Sequence, residues 1–186
     1  MNPRAYFDIE VRGAASTGGG QVPALPVMTR LVGVLHGIIR DRPGRIALAL
    51  PRMKTGEFRH PGHVVRVFAE SREDLDHVVD ALTANERIHG YVRFSYLKKV
   101  PDDFRGPWKE YRRYRIPGNG SRLEKCRDYR LQASDNLPFF RSASKSNGHA
   151  FSLHVDCLDG SPSMDCRPDS YGLSVATRPF ALPVIA

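Results

Sequence analysis

The sequence predicts an α+β fold, and three observations carry that expectation. In the first hundred residues, stretches with a two-residue apolar alternation take turns with two apolar stripes at helical spacing. A proline-bounded segment, Pro101 to Pro107, then separates this part from a stretch of different composition, basic and aromatic. Beyond residue 139 strand-like alternation returns, with Phe151, Leu153 and Val155 set against Ser152, His154 and Asp156.

Tyr6 to Arg12 alternates Phe7, Ile9 and Val11 with Asp8, Glu10 and Arg12, the period of a strand that buries one face. Ala14 to Gly20 is a loop of small residues. From Leu25 to Arg40, the side chains Val27, Leu31, Val34, Leu35 and Ile38 recur at helical spacing, and Pro43-Gly44 stops the helix. Arg45 to Leu50 reads as a strand, Pro51 to Gly62 as a loop rich in turn formers, and Val64 to Ala69 as a third strand. Ser71, three residues before Asp74, starts a helix in the manner of a capping box, and its apolar stripe is Leu75, Val78, Val79 and Leu82. Ile88 to Val100, with Val92, Phe94 and Tyr96 in alternation, closes the set as a strand. Strand, helix, strand, strand, helix, strand is the order of the split βαβ unit, so residues 1–100 are expected to form a ferredoxin-like (RRM-like) N-terminal domain. Residues 101–186 are expected to form a smaller C-terminal domain. In it, Pro117-Gly118-Asn119-Gly120 breaks the chain before a short basic helix from Ser121 to Leu131, and Ser134 to Asn136 makes a turn back into strands.

Charge separates the two halves. The chain carries 28 Lys and Arg against 20 Asp and Glu, a net +8. Arg105 to Arg130 holds nine of those basic residues and three acidic ones, so six of the eight net charges lie in that one stretch. Trp108, Tyr111, Tyr114 and Tyr129 are interleaved with them, and aromatic faces among cations suit unpaired bases and phosphates. The second half therefore reads as the RNA-binding part, with the basic linker 105–130 in it; a solvated basic face is the plainer alternative. No apolar run is long enough to cross a bilayer and no signal peptide is evident, which reads as a soluble, cytoplasmic protein with no membrane partner. Cys126, Cys157 and Cys166 lack the spacing of a zinc site and read as ordinary thiols.

Among seven histidines, His36 stands on the shoulder of the first helical stripe, with Val32 at i−4 and Ile39 at i+3, a place that is partly buried and partly accessible. A boundary histidine with no chemistry would look the same. His60 and His63 lie in a loop with no nearby ligand cluster, so no metal is expected, and no cofactor motif (P-loop, GxGxxG, HExxH or GxSxG) is present. His77 and His89 read as surface positions, and His149 and His154 as minor candidates for phosphate contacts. Ser142, Ser144 and Ser146 alternate beside Lys145 and Gly148, an arrangement able to donate hydroxyl and amide hydrogens to a phosphate or a ribose; an exposed strand edge would show the same alternation.

Four segments together resemble a known family. The helix MTRLVGVLHGIIR (Met28 to Arg40), the strand RIALALP (Arg45 to Pro51), the segment Leu137 to Val155 and the motif Tyr171-Gly172-Leu173-Ser174 look like the type I-F CRISPR RNA-processing endoribonucleases, a branch of the CRISPR-associated protein six family. The resemblance implies a ferredoxin-like domain, a second domain with an arginine-rich helix, and metal-independent cleavage of repeat RNA at the base of a hairpin. It places His36 at the catalytic histidine, Tyr171 at the tyrosine that orients it, and Phe151 at the aromatic that stacks on the closing base pair. It places Ser144 at the serine that positions the ribose when counted back from Gly148 or Phe151, and Ser142 there when counted from Arg141. Arg113 and Arg115 match two base-reading positions. Arg112, Arg122, Lys125, Lys145 and Ser146 complete the expected RNA contacts.

The chain departs from the family pattern twice. Arg115 stands where the best-known pattern has glutamine, which shifts the expected preference from adenine toward guanine edges. The helix from Ser121 is shorter and less basic than the family's. What the resemblance implies is a metal-free endoribonuclease leaving a 2′,3′-cyclic phosphate and a 5′-OH, held on the hairpin it cuts within a type I-F-like surveillance complex. The runners-up are a hairpin-binding subunit without chemistry, in a defence or transposon-linked complex, and a protein that binds nucleic acid by charge alone.

Overall fold

Alternation becomes strand and stripe becomes helix through most of the first hundred residues of the computed structural model, which describes residues 1–12, 24–117, 124–143, 148 and 150–185. The loop expected at Ala14 to Gly20 and the Gly118-Asn119-Gly120 part of the break lie outside these residues. The first part runs β1 (Ala5–Val11), α1 (Ala24–Asp41), β2 (Ile46–Ala49), β3 (Val64–Ala69), α2 (Arg72–Thr83), a one-turn α3 (Glu86–His89), β4 (Val92–Phe94) and β5 (Lys98–Lys99). Its sheet has the order β2-β3-β1-β4 with β5 also on β1, every pairing antiparallel. That is the topology of two interleaved split βαβ units.

The β pleat sorts the side chains of this sheet. Phe7, Ile9 and Val11 pair in register with or beside Val65 and Val67 and are fully buried with Met28, Leu31, Leu35 and Ile39 of α1 and Leu75, Val78 and Leu82 of α2. Burial of each such side chain contributes about 1.5–3 kcal/mol. Ser71 caps α2 as its spacing requires: its hydroxyl oxygen accepts from the Asp74 amide at 3.1 Å and its hydroxyl donates to the Asp74 carboxylate at 2.7 Å. Arg42 donates to the same carboxylate at 3.0 Å and so fastens the turn after α1 to the start of α2.

The closing strand is shorter than the alternation suggests. Asn85 caps α3 by accepting from the Arg87 amide, which turns residues 86–89 into helix. After Phe94, the Ser95 hydroxyl takes the Asp8 amide at 2.9 Å, a place a ladder carbonyl would otherwise fill, and Tyr96 swings out to 91% exposure.

The second part holds β6 (Trp108–Tyr114), α4 (Glu124–Ser134), β7 (Phe139–Ala143), β8 (Ala150–Gly160) and β9 (Leu182–Pro183), with the sheet order β7-β8-β6-β9. The basic helix thus runs three residues past Leu131, and the Ser134 hydroxyl donates to the Leu131 carbonyl within it. One buried core spans both sheets, with Tyr111, Phe140, Leu153, Val155, Leu173 and Leu182 joined to the residues above. Among the described residues, backbone bonds join the two parts at Met1 with Cys166 and at Gly56 with Asn136, and two further hydrogen-bonded stitches start from strands of the first sheet. At one, Arg66 on β3 spends its Nε and Nη2 on Asp8 (2.7 and 2.9 Å) and its Nη1 on the carbonyl of Ile185, just after β9.

The other stitch is the Tyr171-Gly172-Leu173-Ser174 motif. The Leu48 amide on β2 donates to the Gly172 carbonyl at 2.7 Å; two residues on, Ser174 exchanges backbone bonds with β6, donating to Tyr111 at 2.9 Å and accepting from Arg113 at 2.8 Å. Gly172 has φ +72°, and a Cβ there would stand 2.7 Å from Leu48 Cγ, 3.1 Å from Ile39 Cδ1 and 3.2 Å from the Leu48 amide. Beneath the stitch, the Ser174 hydroxyl donates to Glu110 at 2.6 Å while Arg112 grips the same buried carboxylate with two bonds of 2.7 Å. Burial alone would raise the Glu110 carboxyl, but the bonds from Arg112 and Ser174 outweigh it and hold it below its ordinary value.

Gly172→Ala combines a left-handed backbone cost with an overpacked contact, and is expected to lower stability by about 2–4 kcal/mol in urea unfolding; a loss below about 0.5 kcal/mol would mean the turn relaxes freely. Because the Glu110 pKa is depressed on folding, its contribution is complete above the ordinary value of 4.5 and is lost as pH falls through the lowered one. Glu110→Gln is therefore expected to flatten the stability-against-pH curve below about pH 4.5, and unchanged curvature would assign acid unfolding to other carboxylates.

Candidate active site

The site is built where the end of α1 meets the residue 169–174 turn. The apolar stripe of α1 faces the core, and His36 on its shoulder is half-buried, as its position in the sequence suggests. Its Nδ1 lies 2.6 Å from the carbonyl oxygen of Ser170. A carbonyl only accepts, so this bond requires the hydrogen on Nδ1 and leaves the lone pair of the neutral ring on Nε2. The Tyr171 ring stacks on the imidazole with centroids 4.0 Å apart and planes 9° from parallel. His36 is thus held in its plane by a backbone oxygen and against rotation by an aromatic face.

The turn that supplies both contacts is organised by Asp169, which is buried. Its Oδ1 accepts from the amides of Tyr171 (2.8 Å) and Leu173 (3.1 Å), its backbone carbonyl accepts from the Gly172 amide at 2.9 Å, and its Oδ2 accepts from Arg113 Nη1 at 3.2 Å. The Arg113 guanidinium, reaching from β6, also sits over the Tyr171 ring with Cζ 4.8 Å from the centroid. Burial, helped by the Asp169 carboxylate and opposed by Arg113, pushes the Tyr171 phenol above its ordinary value, so it stays neutral at physiological pH.

The remaining expected residues fall into groups. Ser144, Lys145, Ser146, His149 and Arg122 lie outside the described residues, and of Lys125 only its place in α4 is described. β7, which ends at Ala143 and carries Ser142 opposite Phe151 of β8, lies alongside α1, so the serine segment leads off from a strand next to the helix that bears His36. Phe151 is half-buried against the core. Arg115 is exposed just beyond β6, and its carbonyl accepts from Arg130 of α4 at 2.7 Å. Arg112, by contrast, is turned onto Glu110.

The aromatic residues of the basic stretch behave less uniformly than their interleaving suggests. Tyr111 is a core residue, its phenol pushed upward by burial and withdrawn from any stacking role. Trp108 packs edge-on against Phe104 at 5.9 Å, Tyr114 lies beneath Arg130, and Tyr129 is exposed. A β-strand places alternate side chains inside, so composition alone overstates the aromatic surface on offer.

Of the other histidines, His60 accepts the Gly62 amide through Nδ1, and His63 stands 4.0 Å from Glu10. His154 is tilted against Phe139, and burial lowers its pKa. Among the described residues, no three His, Cys, Asp or Glu side chains come together in a way that would hold a metal ion, and no helix is long and apolar enough to cross a membrane. Burial raises the Cys166 thiol to about 11, so it is inert near neutrality.

Two residues that shape the site carry no motif of their own. Asp169 and Ser170 precede the Tyr171-Gly172-Leu173-Ser174 motif, and Ser170 acts through its backbone. Only the Asx-type spacing of Asp169, two and four residues before the amides it accepts from, was available as a signal. Asp169→Ala removes three side-chain bonds from a buried turn and is expected to cost about 3 kcal/mol in thermal unfolding, with Asp169→Asn milder because its amide oxygen can still accept from both N–H groups. Equal losses for the two variants would place the effect in the ion pair with Arg113 instead.

No curated protein matches the chain. Residues 6–183, nearly the whole sequence, match the model of a family described as CRISPR-associated protein (Cas_Csy4), which bears out the resemblance drawn from the four sequence segments. The chain belongs to this type I-F CRISPR-associated endoribonuclease family, and its role is CRISPR-associated RNA processing.

Proposed function

We propose that the protein cleaves precursor CRISPR RNA at the base of the repeat hairpin, with His36 as general base and no metal ion in the reaction. The observation that carries this reading is the bond of His36 Nδ1 to the Ser170 carbonyl, which commits Nε2 to accepting a proton. RNA brings its own nucleophile. Once the ribose 2′-OH is deprotonated, its oxygen attacks the adjacent phosphorus, the P–O5′ bond breaks, and the leaving oxygen takes up a proton. The products are a 2′,3′-cyclic phosphate and a 5′-OH.

In this reading the Tyr171 ring keeps the imidazole aligned, Ser144 or Ser142 positions the ribose, and Lys145 offsets charge developing on the phosphate oxygens. Phe151 stacks on the closing base pair. Arg115 reads base edges, and Arg122, Lys125 and Ser146 contact the backbone of the stem, while Arg112 and Arg113, expected among the RNA contacts, are engaged by Glu110 and Asp169 and act by holding the turn. Residues 101–186 act as the hairpin-binding half on the ferredoxin-like half 1–100. The product stays bound and enters a surveillance complex through protein contacts.

The reaction is tested with the repeat hairpin in EDTA, beside an RNA with a 2′-deoxy sugar at the cut site. Cleavage is expected for the RNA and not for the deoxy form, and His36→Ala is expected to cut about 10²–10⁴-fold more slowly while binding the hairpin as before. Tight binding of the hairpin by the wild-type protein with no cleavage would instead make it a guide-RNA cap without chemistry. Since Tyr171 meets His36 through its ring face, Tyr171→Phe is expected to cleave within about threefold of wild type and Tyr171→Ala at least tenfold more slowly, the loss ascribed to a mispositioned base. A large loss in Tyr171→Phe would assign the work to the phenol oxygen.

A further inference from the structure

A cleft of about 620 Å³ opens beside the site, walled by the end of α1, the segment after β6 and the residue 166–170 turn. Four arginines line it: Arg40, Arg115, Arg167 and Arg178, all exposed. The one carboxylate in its wall, Asp169, is taken up by Arg113 and two backbone amides. Arg167 also pairs with Asp165, which lies outside the lining. The cleft is continuous with the candidate site, because Ser170, whose carbonyl holds His36, is one of its walls, and Arg40 is one helical turn beyond His36 on α1.

We infer that this cleft binds the phosphodiester backbone of single-stranded RNA where it leaves the base of the hairpin. The inference rests on the proposed cleavage site for its placement, since the strand must pass His36. Its chemistry is independent. Exposed arginines spread over a groove this size suit a chain of phosphates, whose charges they neutralise with counterion release. The cleft also answers a deficit in α4. That helix carries Lys125, Arg127 and Arg130 against Glu124 and Asp128, too little net charge to grip a stem unaided. The flanking strand then supplies affinity that the helix lacks. Two strands leave a hairpin base, one on each side, and both have the same backbone chemistry.

The test uses RNAs made uncleavable by a 2′-deoxy sugar at the cut site: the bare hairpin, the hairpin with only its 5′ flank, the hairpin with only its 3′ flank, and an unstructured ten-nucleotide RNA. The wild-type protein is expected to bind one of the flanked hairpins roughly tenfold more tightly than the bare one. In Arg40→Gln/Arg178→Gln that gain disappears, the affinity for the bare hairpin is unchanged, and the magnitude of the salt slope of flanked-RNA binding falls by about 1.4. The ten-nucleotide RNA weakens in parallel, and the Arg40→Lys/Arg178→Lys protein keeps the gain. Which flanked RNA shows it identifies the strand. A flank gain that survives the double glutamine substitution, or no gain from either flank, overturns the inference. If the protein neither cuts nor prefers the hairpin while the ten-nucleotide RNA still loses affinity in the glutamine variant, the cleavage reading fails and the cleft stands.

Discussion

The backbone of residues 169–174 is the constraint on which the rest of the structure turns. It must bond on one side to β2 of the first sheet, through Leu48, and on the other to β6 of the second, through Tyr111 and Arg113. A chain can be shared between two sheets only if it comes close to both, and here the closeness is set by Gly172, where a β-carbon would sit inside contact distance of Leu48. The same turn carries the Tyr171 ring and the Ser170 carbonyl to His36. Sheet docking and the placement of the imidazole are therefore one structural event. A change that loosened the junction would reach the site without touching it.

Around this turn, charge is used in two ways. Asp169 and Glu110 are buried carboxylates, and each is matched by an arginine from β6 and by hydrogen-bond donors of the turn itself. Buried ions of this kind add little net stability, since desolvation consumes most of the attraction, but an unmatched partner is strongly penalised. They act as registration marks that accept one docking geometry. The arginines on the rim beyond Ser170 are exposed instead.

Much of this was legible in the order of residues. Period-two and period-3.6 patterns located β1, α1, β3 and α2, and Ser71 with Asp74 marked the start of α2 because a local hydrogen bond has a local spacing. The closing strand of the first sheet was overextended in that reading, because Ser95 replaces a ladder carbonyl with a hydroxyl and no periodicity reports such a substitution. Tyr111 looks from the sequence like one more exposed aromatic in a basic stretch and is core, since its side chain falls on a face of β6 that joins the buried cluster. The position of His36 on its helix was readable; its partner was not. A backbone carbonyl has no sequence identity, so the Ser170 contact appears only once the chain is folded.

That contact joins residues 134 positions apart in the chain. As the protein emerges from the ribosome, α1 is complete long before the turn that receives it, and the pairing must wait for the second sheet to form and dock. Contacts so distant in sequence are among the last and slowest to close in folding. A nascent chain that stops short of residue 169 therefore carries the histidine-bearing helix with its imidazole unaligned, so the order of synthesis itself keeps the site unassembled until the residue 169–174 turn has been made.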